Sequence, residues 1–173
     1  MNLQDLDSDT RFAMQNELEK DIGTSRLYLS PRLNGRGIRR WSAILSGAIE
    51  QGTPASLADS IRSEGLLSDR EVSHRSGKSF EKRVPTNAAD TLAEGEFIRY
   101  YMRGVCIRAI STGVGVSVYR AKSVANPRQD SDVMIGRAVD PEALLVDLRN
   151  SIGIETMLGL PPGPNSGLCI RLQ

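Results

Sequence analysis

The side chains with the clearest capacity for chemistry are arginines and the acids that stand near them. Glu96, Arg99 and Arg103 lie three and four positions apart, so on a helix they share a face and their side chains can meet. In an open site such a set grips a phosphate or carboxylate through the bidentate guanidinium fork, while the carboxylate orients the ligand or takes a proton. Buried, the same set is a structural ion pair, and that account of Arg103, with Glu96 as its partner through Arg99, is the preferred one because the surrounding segment is nearly all apolar. Arg36, Arg39 and Arg40 form a second basic group, and Arg120, Lys122 and Arg128 a third. Arg36, Arg39, Arg40, Arg99, Arg103, Arg120, Lys122 and Arg128 are thus the candidate contacts to a phosphate-bearing or acidic partner.

The distribution of charge says more than its sum. The 173 residues carry 22 basic and 21 acidic side chains, and only Lys20, Lys78, Lys82 and Lys122 of the basic ones are lysine. Genome composition gives one account of that imbalance, and the phosphate-matching fork of arginine gives another. Residues 1–21 hold Asp5, Asp7, Asp9, Glu17, Glu19 and Asp21 against Arg11 and Lys20, whereas residues 22–49 and 97–129 hold basic side chains and no acid. Either the two basic segments face a phosphate-bearing partner, or the acidic N-terminal segment folds back over one of them.

A metal-dependent nuclease of the PD-(D/E)xK type needs an acid two positions before a strand lysine, and the segment Val118 to Lys122 puts Arg120 there, which cannot ligate a cation. ADP-ribosyl transfer finds two carboxylates in Glu94-Gly95-Glu96, but these precede the Tyr119-Arg120 strand and sit in a helical pattern, where the expected order is the reverse. Gly77-Lys78-Ser79 matches only the end of a phosphate-binding loop, because no earlier glycine stands at the required spacing. His74, the single histidine, has no marked nucleophile beside it. Cys106 and Cys169 stand among apolar residues and read as buried reduced thiols; with one histidine they cannot assemble a zinc site, and neither a metal nor a cofactor is implied. Leu160 to Gly167 reads as a rigid cover leading into a last strand, or as a turn able to aim the amides of Asn165, Ser166 and Gly167 at an anion.

The elements that must position these residues follow from periodicity and caps. Residues 8–22 predict a helix capped at Ser8, residues 24–37 an extended piece and a basic turn, and residues 38–51 a helix closed by Gly52. Thr53-Pro54 starts a short helix, and the pair reads as a helical hairpin or, alternatively, a helix-turn-helix. Residues 68–85, poor in apolar side chains, predict an exposed and mobile loop. Residues 87–111 predict a long central helix whose apolar side chains cover more than half its circumference, hence a mostly buried one. Val114, Val116 and Val118 alternate as a strand running on to Val124, Val133 to Ile135 suggests a second, Asp140-Pro141-Glu142 starts a helix that stops near Gly153, and Leu168 to Leu172 alternates as a terminal strand.

The expected architecture is a single α+β domain over residues 1–173, with a helical N-terminal half, a long buried central helix at about 87–111 and a small, mostly antiparallel sheet in the C-terminal half. Apolar runs are too short to cross a bilayer, and the acidic N-terminus lacks the pattern of a secretory signal, so a cytoplasmic location is expected. The expected function is that of an accessory binding domain without catalysis of its own, contacting nucleic acid or an acidic protein surface through its arginine-rich segments. Two alternatives stand beside it: an enzyme acting on a phosphorylated small molecule or nucleotide, with Arg99, Arg103 and Arg120 as clamps and Glu96 as the acid or base, and a subunit of a phage or mobile-element assembly.

Overall fold

The computed structural model describes residues 1–75, 77–123, 129–152 and 167–173, with the backbone alone for residues 74, 75, 129 and 130. The fold is α+β. Its contacts divide the chain into two compact units, one of Met1–Arg26 with Ile98–Gln173 and the other of Leu27–Phe97. None of the described helices is long and apolar enough to cross a membrane.

In the first unit, helix α1 (Ser8–Gly23) is capped one residue earlier than its composition suggests: Asp7 accepts from the Thr10 amide at 3.0 Å, and Ser8 is already helical. Helix α4 (Ala88–Thr112) begins in the second unit and runs into the first, and every residue from Glu96 to Cys106 along it is buried. Gly104 is what lets α1 approach this helix: a Cβ there would sit 2.9 Å from the Thr10 carbonyl oxygen and 3.0 Å from Met14 Cγ. Strand β3 (Val116–Arg120) follows, shorter than the 114–124 alternation predicts.

Val133 to Ile135 is a turn and not the expected strand. Its amides bond back to Ser131 and Asp132 after a single-turn helix α5 (Gln129–Asp132), and Val133 and Ile135 are exposed. The chain instead reverses at Gly136, whose positive φ of 83° favours glycine and whose amide donates to Val118, and the paired strand is β4 (Ala138–Val139). Helix α6 (Pro141–Asn150) starts at the Asp140 cap as expected, and β5 (Leu168–Leu172) closes an antiparallel sheet of order β4-β3-β5, with Val118 opposite Ile170.

The N-terminal residues are stitched to this sheet through two tyrosines. Tyr101 and Tyr119 accept from the amides of Asp5 and Gln4 at 3.2 and 3.1 Å, Tyr119 donates to the Asn2 carbonyl at 2.8 Å, and the Leu172 amide donates to Asp5 at 3.0 Å.

The second unit opens with helix α2 (Gly35–Gln51). Asn34 caps it by accepting from the Gly37 amide at 2.8 Å, so Arg36 and Gly37 lie in its first turn and not in the basic turn expected before Ile38. Only Gly52 and Thr53 separate it from α3 (Pro54–Ser63), and Thr53 and Ser56 cap each other in a capping box. A side chain at Gly52 would meet Ser56 Oγ at 2.5 Å and Ala48 Cα at 3.0 Å, which explains the glycine at this tight connection. Leu33 bridges antiparallel to Leu67.

The expected loop at 68–85 is a β-hairpin. Strands β1 (Arg70–Arg75) and β2 (Lys78–Arg83) pair antiparallel with Arg70 opposite Arg83 and Val72 opposite Glu81. Gly77 adopts a φ of 75° at the turn. Ion pairs cross the ribbon from Glu71 to Lys82 at 3.2 Å and from Arg70 to Glu81 at 3.0 Å, on strands with few apolar side chains.

Two glycines of α4 should respond oppositely to substitution. Alanine is favoured over glycine within a helix by about 1 kcal/mol, and nothing lies within 4 Å of a Cβ built on Gly95. Gly95→Ala should therefore raise the melting temperature by about 2–4 °C. Gly104→Ala should lower it, because pushing α1 outward costs about 1–3 kcal/mol and cancels the propensity gain. Parallel thermal melts of the two variants check the pair.

Candidate functional site

Arg103 is the most deeply engaged charged residue of the first unit. It is 1% exposed. Its Nε donates to Glu17 Oε2 at 2.7 Å, its Nη1 to Asp21 Oδ2 at 2.5 Å and its Nη2 to Asp21 Oδ1 at 3.1 Å. Tyr100 donates its hydroxyl to Asp21 Oδ2 at 2.9 Å and lies with its ring centroid 5.0 Å from the Arg103 guanidinium carbon. Arg149, on α6, completes the set with a bidentate grip on Glu17 at 2.9 and 2.6 Å. Arg26 in turn donates to the Arg149 carbonyl at 2.7 Å. Two guanidinium groups and two carboxylates thus neutralise one another, with Arg103, Glu17 and Asp21 buried and Arg149 partly exposed.

The partners of Arg103 are Glu17 and Asp21 and not Glu96, which corrects the expected pairing. Helical spacing names neighbours on the same helix, whereas these acids come from α1. Burial works to raise the Glu17 pKa, but the hydrogen bonds and charges of Arg149 and Arg103 outweigh it and hold the carboxyl down at about 2. The Arg103 cation, disfavoured by burial, is likewise restored by Asp21 and Glu17 and kept above its ordinary value.

Arg99, Arg108 and Arg120 of the 97–129 stretch are also engaged. Arg99 is buried and donates to the Ser151 carbonyl. Arg108 holds both oxygens of Asp7, at 2.8 and 2.9 Å, and Thr10 Oγ1 at 2.7 Å, which ties it to the cap of α1. Arg120 reaches Asp132 at 2.6 Å. Lys122 is half-buried beyond β3, its amide donating to Gly167 at 3.3 Å, and Arg128 lies outside the described residues, as does the Pro161–Ser166 segment. The acidic N-terminal segment therefore folds onto the second basic segment. Arg99, Arg103 and Arg120 each have a different set of partners. Burial pushes the thiols of Cys106 and Cys169 up to about 12, so neither is a nucleophile near neutral pH.

The second unit leaves cations available. Arg40 grips Glu64 at 2.9 and 3.2 Å, and Arg36, largely exposed, stands 3.9 Å from the same carboxylate. Arg39 is exposed and makes neither hydrogen bond nor ion pair among the described residues. Arg32 bonds Glu71 at 2.6 Å, linking the segment before α2 to the hairpin. Within the hairpin, Lys78 and Arg83 are exposed, and neither has an ion-pair partner among the described residues. Residues 70–83 carry Arg70, Arg75, Lys78, Lys82 and Arg83 against Glu71 and Glu81.

The sequence reading missed these hairpin cations, although the alternation of Lys78, Phe80 and Lys82 is a signal at strand period. A groove of about 540 Å³ between α2 and α3 is lined mainly by small side chains, among them Ala43, Gly47 and Ser60, with the paired Arg40 and Glu64 beside it. Among the described residues no cluster of three or more histidine, cysteine or acidic side chains could hold a metal. No protein-family model, curated protein or solved structure matches this chain.

Arg103→Ala should destabilise the protein by about 3–5 kcal/mol, since it strips two buried carboxylates of their shared partner. Denaturant titration measures this loss. Acid unfolding adds a second check. The Glu17 pKa is lowered in the folded state, so its contribution is complete above the ordinary value of 4.5 and is lost as the pH falls towards about 2. In Glu17→Gln the part of the acid-induced loss that falls in this window should disappear, alongside a lower stability at neutral pH.

Proposed function

We propose that the Leu27–Phe97 unit binds nucleic acid through the β1–β2 ribbon and the first turns of α2, as an accessory binding module. The observation that carries this reading is the ribbon itself: five cations against two carboxylates, with Lys78 and Arg83 exposed and unpartnered among the described residues. An unpaired surface cation gains no internal Coulomb energy, but each one that meets a phosphate releases condensed counterions. Arg39 supplies a further cation of this kind on α2.

The local architecture supports the same reading. Two helices joined through Gly52 and Thr53 and followed by a two-stranded ribbon combine element types that dock into nucleic-acid grooves. The exposed side chains of α3 are small or polar, among them Ser56, Asp59 and Ser63. Affinity is accordingly assigned to phosphate contacts by the basic side chains, which position a protein without reading sequence. Arg99, Arg103 and Arg120 are left out of the proposed surface because their charge is engaged within their own unit.

The test is binding of labelled oligonucleotides as a function of salt. With Arg36, Arg39, Lys78 and Arg83 as contacts, the logarithm of the association constant should fall with the logarithm of salt with a slope of about −3 to −4. The triple variant Arg39→Ala, Lys78→Ala, Arg83→Ala should flatten that slope by about 2–3 while melting like the parent. Competition by poly-glutamate as effective as that by nucleic acid points to an acidic protein partner instead, and absence of binding at low salt rejects the reading.

A further inference from the structure

We propose that strand β2 is a stacking platform for unpaired bases, with the Phe80 ring as the platform and Lys78 and Lys82 as the phosphate contacts on either side. This rests on the nucleic-acid reading above and specifies the form of nucleic acid that it takes. Alternation along a strand puts residues 78, 80 and 82 on one face of the ribbon, the outer two roughly 13 Å apart at the rise of an extended chain. Phe80 is 45% exposed.

The register shows why the ring does little for the ribbon itself. Ser73 stands directly opposite Phe80. Cross-strand pairs stabilise a ribbon when an aromatic meets an aromatic or β-branched side chain, and a serine provides neither. Val72, the other exposed apolar residue of the hairpin, belongs to the opposite face, opposite Glu81. Phe80 is therefore an aromatic ring on a basic strand without a cross-strand hydrophobic partner.

The chemistry around the ring fits a polyanion carrying planar, apolar faces. Lys78 has no ion-pair partner among the described residues, and Lys82 shares Glu71 with Arg32. Single-stranded nucleic acid offers both features together, since its bases stack on aromatic rings while basic residues track the backbone. A duplex keeps its bases stacked on one another, so a ring reaches a base face there only after a step is unstacked, at a cost in stacking energy.

The experiment uses the full chain and two labelled probes, a 20-nucleotide oligothymidine and a 20-base-pair duplex, titrated at low and moderate salt. Oligothymidine should bind more tightly than the duplex. Phe80→Ala should weaken oligothymidine binding roughly 5- to 150-fold with an unchanged salt slope. Lys78→Ala should instead flatten the slope by about 0.7. Phe80→Trp should retain or tighten binding, and because Trp41 is wholly buried, quenching of the new exposed indole reports stacking directly.

Phe80→Leu keeps apolar bulk at the position and removes the aromatic face. If it binds like the parent, or if Phe80→Ala leaves oligothymidine binding unchanged while Lys78→Ala weakens it, the stacking platform is rejected and the nucleic-acid reading stands. Tighter binding of the duplex rejects the platform in the same way. Failure of both probes to bind at low salt rejects the underlying reading itself.

Discussion

One buried guanidinium organises the Met1–Arg26 and Ile98–Gln173 unit. Arg103 is almost fully removed from water, and a charge so placed is tolerable only when its partners are close and well oriented. Glu17 and Asp21 meet that requirement from α1, one turn apart and aimed at the same group. Arg149 then balances the second carboxylate and brings in α6, while Tyr100 caps the remaining lone pair of Asp21. A helix shifted by one residue in this arrangement leaves ionised groups unmatched in the interior. The network therefore sets the axial position of α1 on α4 more sharply than apolar contact does, and Gly104 provides the close approach that lets the short acidic side chains reach.

That internal neutralisation changes what the arginine content means. Eighteen arginines suggest a basic surface, yet within the acid-free stretch from 97 to 129 Arg103 and Arg108 are spent on α1 and its cap, Arg99 on Ser151 and Arg120 on Asp132. In the Leu27–Phe97 unit, Arg39 on α2 and Lys78 and Arg83 on the hairpin are exposed without an ion-pair partner among the described residues. A count of basic residues by sequence window does not show which carboxylate returns from elsewhere to meet them.

The parts of the fold that were legible in the sequence are those governed by local rules. The length and burial of α4 followed from its circumferential apolar pattern, α6 from the Asp140-Pro141-Glu142 start, and β5 from alternation at the C-terminus. The hairpin was not legible, because its exposed side chains are mostly charged, and a highly charged, weakly apolar segment has the same composition as a loop. Strand β4 is only two residues long and is set by the turn at Gly136, which leaves no pattern to find. For Arg103 the correct kind of interaction was inferred with the wrong partner: the acidic segment at 1–21 and the basic one at 97–129 announce complementarity, but which pairs form depends on how two helices cross.

The separation in sequence between those partners also orders events in time. Glu17 precedes Arg103 by 86 residues and Arg149 by 132. At a synthesis rate of roughly 5–20 residues per second, α1 leaves the ribosome on the order of ten seconds before α6 can join it. The contiguous Leu27–Phe97 segment emerges in between, with its helix caps and hairpin pairing all local to itself. Throughout that interval α1 carries two carboxylates on the face destined for the interior, and their charge keeps that face hydrated. The same acids that later fix the helix in the core thus shield the nascent chain from premature apolar association.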